Sequence, residues 1–452
     1  MTVKGNLVDT VWGESKPAMP AEKVFIHDLK FSGATVQEKF AKVAAKLEKK
    51  VDVLLITTLD DIDWIVNLRG NDIKYNPVFF SYALFFPSTE EGVPSTLRLF
   101  INSSKVADNE AVQAHLKENN IEIFEYEAIT DHLVTLAAEK KRIGYDENNC
   151  NQQLFEAFKE ANPTHFENLV EAIKAVKNTT EMQGMRNVNV KNCASLIQYF
   201  AWMEDHLRNN PESEMTEYTA AKKLEEFRMT REHYVGPSFD TISSIGPNGA
   251  VIHYKPKKDT ALRMNNRELY LLDSGVQYFD GTTDITRTVH FGGSEPTAEQ
   301  KRRYTQVLLG VLDLERVVWP KGGPYSGGDF DTLARRHLWA DGVDYKHGTG
   351  HGVGSFNCVH EGPQGIYRRS QVKLEVGMCV SNEPGFYKDG EFGIRIENVI
   401  MVNDHPTFSD RLHFENLTIC PYSRELLDLS ILQPNDKAYL DAFNRKVTFS
   451  YF

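Results

Sequence analysis

The chain has 452 residues, more than one hydrophobic core usually organises, so two or more domains are expected. A net charge of −12, spread along the chain, excludes nucleic acid or an anionic membrane as the main partner, while 41% hydrophobic and 25% charged residues are ordinary for a soluble globular protein. The five cysteines form no Cys-x-x-Cys pair, there is no apolar signal core over Met1–Asn6 and no apolar run of about 18 residues, so reduced thiols, no membrane span and a cytoplasmic location are the expectation.

In chain order, residues 1 to about 20 read as a loop-like linker remnant carrying Pro17 and Pro20. From 21 to 170, helices and strands alternate. Ala34 to Lys50 is helical, with Phe40, Val43, Ala44 and Leu47 on one face, and Val51 to Thr57 is a buried strand. Tyr82–Phe86 and Leu97–Ile101 read as strands around a turn from Glu90 to Pro94, so this part is an α/β domain. A second domain is expected over 171–420. Val170 to Val176, Thr180 to Leu207 and Glu217 to Met229 open it as helices, and after about 234 the texture turns to strands and glycine-rich turns, which makes it α+β. Residues 421–452 read as a short C-terminal tail.

Five residues in the second domain stand out, each in a short segment built to fix a side chain: Asp273, Asp284, His351, Glu383 and Glu397. Leu269–Asp273 and Ile285–Phe291 read as strands of a hairpin, so their aspartates can point into one site. His347 and His351 are spaced as on a helix, but the glycines between them favour a loop that comes close to a ligand. Glu383 precedes Pro384, which pushes it extended. Glu397 lies on an expected strand with Arg395 facing the same side. One histidine with four carboxylates is a hard, oxygen-rich set suited to two divalent cations such as Mn²⁺, and paired metals of that kind activate water. Four carboxylates outweigh two dications once a hydroxide joins them, so a nearby arginine makes electrostatic sense. His253, His347 and His360, in glycine- and proline-rich contexts, complete the constellation.

The segments Leu271–Gly275, Asp280–Thr288, His347–Gly354, Val359–Pro363, Asn382–Gly385 and Gly393–Asn398 together resemble the pita-bread dinuclear metallopeptidases. Within them the resemblance is to the Xaa-Pro aminopeptidase (aminopeptidase P) family in its cytosolic eukaryotic-like form, supported by Gly236–Tyr254 and by Leu68–Tyr82. It implies a pita-bread (creatinase/aminopeptidase-like) catalytic domain preceded by an α/β creatinase-N-like domain. It also implies that the chain opens at the end of the first of the family's usual three domains, and that the family's helical C-terminal segment, through which a homodimer is expected, is short here.

The resemblance further implies two metals, foremost Mn²⁺ with Zn²⁺ or Co²⁺ as substitutes. Asp273 would chelate one ion, His351 and Glu383 the other, and Asp284 and Glu397 would bridge them. The nucleophile would be a hydroxide bridging the metals, with Glu383 passing its proton to the leaving nitrogen. His360 and His253 would hold the substrate carbonyl, His347 would shape the proline-side pocket, and Arg395 would sit behind the ligands and tune them. The implied substrates are small peptides with proline in second position, whose bond to that proline has no N–H. Cys358 stands where the family often has asparagine and reads as tolerated variation, not a catalytic thiol. The alternatives are a prolidase (Xaa-Pro dipeptidase) and a non-catalytic pita-bread binding protein.

Overall fold

A computed structural model describes residues 7–88, 90 and 92–451. Helix α1, Leu7–Trp12, occupies part of the stretch expected as loop; it buries nothing, and the first proline that could stop it is Pro17. Residues 1–6 of that stretch lie outside the described residues, as does Glu91 of the turn expected from Glu90 to Pro94.

The first domain is a mixed sheet with helices on both faces. Helix α2, Val36–Leu47, starts at a capping box in which Thr35 and Glu38 satisfy each other's backbone, and it buries Phe40, Val43, Ala44 and Leu47 as its spacing demands. Strand β1, Val53–Ile56, is followed by helix α3, Leu59–Ile65, strand β2, Ser81–Phe86, and strand β3, Thr96–Ile101. Then come α4, Glu110–Glu118; β4, Ile121–Phe124; α5, Ile129–Ala138; β5, Ile143–Tyr145; and β6, Thr164–His165. The sheet order is β4-β3-β2-β1-β5-β6. Its middle strands are buried on both faces, which is why Val53–Ile56 reads as a continuous apolar run.

Helix α6, Leu169–Ala175, and the 31-residue helix α7, Thr179–Asn209, carry the chain into the second domain, and a capping box between Asn178 and Glu181 starts the latter. Helix α8, Glu217–Arg228, packs against α7. Strands β7, Tyr234–Pro237, and β8, Ile242–Ile245, precede β9, Tyr270–Ser274; β10, Val276–Tyr278; β11, Gly281–Thr282; and β12, Ile285–Val289. Strands β9 and β12 pair antiparallel as expected, but the chain between them forms a second hairpin, β10–β11, belonging to another sheet.

Two helices interrupt the stretch expected to be strands and turns only. Helix α9, Ala298–Glu315, is nucleated by a Thr297–Gln300 capping box and is buried around most of its circumference, so it lacks the one-sided pattern that announces a surface helix. Strand β13, Val318–Pro320, leads to helix α10, Gly327–Trp339. The remaining strands are β14, Gly350–Gly352; β15, Glu361–Ile366; β16, Cys379–Asn382; β17, Gly385–Lys388; β18, Phe392–Arg395; β19, Asn398–Asp404; and β20, Arg411–Asn416. They build a six-stranded sheet in the order β13-β20-β19-β16-β14-β15 and a separate β17–β18 hairpin.

The tail expected from 421 instead ends in an 18-residue helix α11, Pro434–Tyr451, whose Leu440, Phe443 and Val447 are buried. No described helix is long and apolar enough to cross a membrane.

Candidate metal centre

The five residues singled out by the sequence come from separate segments, on strands or just beside them, and together line a cavity of about 850 Å³. Asp273 sits on β9 directly opposite Thr286 of β12. Its Oδ2 accepts a hydrogen bond from Arg395 at 2.7 Å, while Oδ1 is buried with no partner among the described residues. Asp284 immediately precedes β12. Glu397 lies between β18 and β19, where its backbone N–H donates to the Thr286 carbonyl at 3.1 Å and its Oε2 accepts from the Thr286 hydroxyl at 2.8 Å. Arg395 Nε donates to that same hydroxyl at 3.2 Å. Thr286 thus ties β12 to both Glu397 and Arg395.

His351 is the middle residue of β14, where the sequence reading has a loop. The strand is squeezed: a Cβ at Gly350 would collide with the Ser381 carbonyl and one at Gly352 with the Glu361 carbonyl, so only glycine fits on either side. The His351 Nδ1 lies 2.8 Å from the Gly352 carbonyl, which places the proton on Nδ1 and leaves the Nε2 lone pair facing the cavity. That Nε2 is 3.4 Å from Asp284 Oδ2 and 3.5 Å from Glu383 Oε1. Ser381 donates to Glu383 Oε1 at 3.2 Å and accepts from the His351 backbone at 2.9 Å, orienting both.

Ligand atoms of Asp284, His351 and Glu397 lie within 4.8 Å of one another. Burial, and then the repulsion of Asp273 and Glu383, push the Asp284 carboxyl well above the usual carboxylate range. Burial and then Asp284 do the same to Glu397. Burial raises Glu383 too, against the pull of His351. Burial opposes the charge on Arg395, but Tyr387, Asp273 and Glu383 around it more than reverse that effect. A buried carboxylate group with mutual repulsion, one arginine and an orphaned Asp273 oxygen fits divalent cations: the donors are hard oxygens and an imidazole, and the missing partner is positive charge.

The three further histidines also line the cavity. The His360 ring stands edge-to-face to His351, 4.1 Å between centroids, and burial, then the neighbouring His351, lower its pKa to about 4. His347 is likewise lowered by burial to about 4, and its Nε2 meets the Tyr387 hydroxyl at 2.9 Å. Both rings are therefore neutral near neutral pH. Cys358 also lines the cavity, and burial followed by Asp60 holds its thiol protonated.

Sequence reasoning missed several groups here. Tyr387 joins His347 to Arg395, whose NH1 bonds its hydroxyl at 2.8 Å. Tyr75 and Asn76 reach the cavity from the first domain, and the Tyr75 hydroxyl donates to Asp240 across the domain boundary. Only Tyr75 offered a local signal, an aromatic residue between Lys74 and Asn76 in a turn-forming stretch. Its backbone is left-handed, φ 75°, as suits a residue whose place its surroundings impose.

Residues 183–404 match the model of metallopeptidase family M24, residues 15–181 that of the creatinase/prolidase N-terminal domain, and 410–449 that of the C-terminal region of peptidase M24. A probable Xaa-Pro aminopeptidase P from Fusarium vanettenii is 44% identical over 100% of this chain and 74% of its own length. The crystal structure of the Caenorhabditis elegans X-prolyl aminopeptidase, described as a cytosolic enzyme with a di-nuclear active site, superposes with a TM-score of 0.92 at 34% identity, covering 100% of this chain and 72% of that one. An Xaa-Pro dipeptidase from Bacillus anthracis shares the fold, with a TM-score of 0.65 at 21% identity over 86% of this chain and 99% of its own.

Proposed function

The chain belongs to metallopeptidase family M24 and, within it, to the Xaa-Pro aminopeptidases, and from that premise we propose a metal-dependent exopeptidase that releases the N-terminal residue from peptides with proline in second position. The observation that carries this reading is the crowding of Asp284, Glu383 and Glu397 around His351 Nε2, with Asp273 beside them, at the wall of a cavity large enough for a short peptide.

Asp273, Asp284, His351, Glu383 and Glu397 would hold two divalent cations, Mn²⁺ foremost. Such cations, when bound, supply Lewis acidity and bring the pKa of water down towards neutrality. Glu383 would move the proton: its carboxylate, oriented by Ser381 and 3.5 Å from His351 Nε2 at the cavity, would take the proton of the attacking water and return it to the proline nitrogen as that nitrogen leaves. His360 and His253 flank the cavity as donors to the substrate carbonyl oxygen, and a neutral His360 keeps one N–H for that purpose. His347, held by Tyr387, bounds the region that receives the proline ring. Arg395 stays charged and offsets part of the carboxylate repulsion from behind. A cytosolic location and a homodimer complete the proposal; the first follows the description of the nematode neighbour.

Hydrolysis of a peptide beginning Arg-Pro-Pro, followed by mass, tests this reading. Release of a single arginine with Mn²⁺ and none after chelation is the expected result. Preferential cleavage of the dipeptide Gly-Pro would replace it with the prolidase reading, and no cleavage of either by the metal-loaded chain would overturn it.

A further inference from the structure

The segment that presents His360 is gripped from outside the cavity. It runs between β14 and β15, and Phe356 within it is fully buried with a left-handed backbone, φ 46°. A non-glycine residue keeps that conformation only where its surroundings impose it. Those surroundings come from both domains: the Phe279 ring of the second lies 5.4 Å from the Phe356 ring, and the rest belongs to the first. Arg69 Nε donates to the Phe356 carbonyl at 2.6 Å, and the His27 ring meets the Phe356 ring edge-on at 5.3 Å. One residue on, Asn357 Nδ2 donates to the Asp60 carbonyl at 3.1 Å.

The other end of the segment is held at Glu361, the residue after His360. Its carboxylate pairs with Lys177, and both side chains are 1% exposed. Lys177 sits between α6 and α7, where the first domain hands over to the second, and its backbone N–H is bonded to the Gly377 carbonyl at 3.2 Å. Around it, Lys174 pairs with Asp60 and Asp61, and the Glu171 carboxylate fills the space a Cβ on Gly362 would need.

A buried ion pair adds little stability over apolar side chains of the same size, so stability alone does not account for this one. What such a pair does is select one geometry. The His360 side chain, in contrast, is exposed to the cavity with the His351 ring against it, so its direction depends on that contact and on the backbone on either side.

We propose that Lys177 and Glu361 are positioning residues for the reaction: their buried pair, working with the Arg69 clamp on Phe356, fixes the point from which His360 projects into the cavity, so that the joint between the domains sets the aim of a substrate-carbonyl donor. This rests on the reading of His360 as that donor.

The test is a mutant cycle on the full, Mn²⁺-loaded chain with an Arg-Pro-Pro peptide. The paired variant Lys177→Met with Glu361→Gln leaves no unpaired buried charge. It is expected to lower kcat about tenfold with KM within about twofold and manganese content unchanged. In a His360→Ala background the same pair of substitutions should change kcat by less than about twofold, because the pair acts through that ring. If the uncharged pair does not fold, Lys177→Arg, which keeps the charge but cannot place it at the same point, should lower kcat about threefold and lose that effect in the same background. An equal loss with and without His360, or unchanged kcat in the folded variants, overturns the proposal. Failure of the underlying reading shows differently: His360→Ala alone would leave kcat untouched, and both then fall.

Discussion

Two regions of this molecule bury charge, and they do so in opposite ways. At the joint between the domains, carboxylates and ammonium groups alternate: Lys174 takes Asp60 and Asp61, and Lys177 takes Glu361. At the cavity wall, Asp273, Asp284, Glu383 and Glu397 face one another with Arg395 as their nearest permanent cation. In the first arrangement each of these carboxylates has an ammonium group of the chain in contact. The second carries a surplus of negative charge that the fold holds in place by Thr286, Ser381 and the strand register. A cluster whose carboxylates each touch a cation sets geometry, whereas one whose carboxylates chiefly face each other asks for a ligand, and here the ligand that suits the oxygens is a pair of dications.

That contrast can be broken most forcefully at the centre. Glu383→Ala should lower turnover by about 10²–10⁴-fold, and His351→Ala should remove bound metal along with turnover; full activity of either variant with normal metal content would refute the site. At Lys174, away from the pair that holds the His360 segment, the response should be stability rather than chemistry. Lys174→Met strands Asp60 and Asp61 and should lower the unfolding free energy in urea by about 3–5 kcal/mol, with manganese binding by the folded fraction unaltered.

His360→Ala lies between the two regions: kcat should fall by about 10²–10³-fold while metal analysis is unchanged, and unaltered kinetics would remove its role. The comparison sharpens further in the metal-free chain. Glu397→Gln relieves repulsion there and should raise its stability by on the order of 1 kcal/mol while weakening metal binding; a stability loss would mean that the cluster is already compensated.

The smallest effect is a matter of pH. Carboxyls whose folded pKa is raised, as for Asp284 and Glu397, favour the folded state at low pH, and that contribution is lost as pH rises through the folded pKa. The chelated chain should therefore lose melting temperature on going from mildly acidic to neutral pH relative to the Mn²⁺-loaded chain, and parallel curves for the two forms would deny the repulsion.

Local chemistry made much of this legible in the sequence. The Thr35–Glu38 cap and the apolar face of α2 announce that helix, and the short segments around Asp273, Asp284, His351, Glu383 and Glu397 announce a candidate ligand set. What remained hidden depends on partners far apart in the chain. His351 is on a strand because Ser381 and Glu361 lie against its flanking glycines, and nothing near residue 351 specifies either neighbour. Helix α9 escaped notice because burial on nearly every side erases the one-sided pattern that identifies surface helices. Helix α11 escaped because its buried Leu440, Phe443 and Val447 are sparse among polar residues. Tyr387 and Thr286 were invisible as site residues, since their importance lies in joining His347 to Arg395 and Arg395 to Glu397.

The most direct measurement is the manganese stoichiometry of the chelated and reconstituted chain, titrated while arginine release from an Arg-Pro-Pro peptide is followed in the same samples. Two equivalents per chain, with activity rising as they bind and both lost in Glu397→Gln, is the predicted result. Full activity at zero equivalents, or two tightly held ions in the Glu397→Gln chain, would contradict the view that the surplus of buried carboxylate charge is what builds this centre.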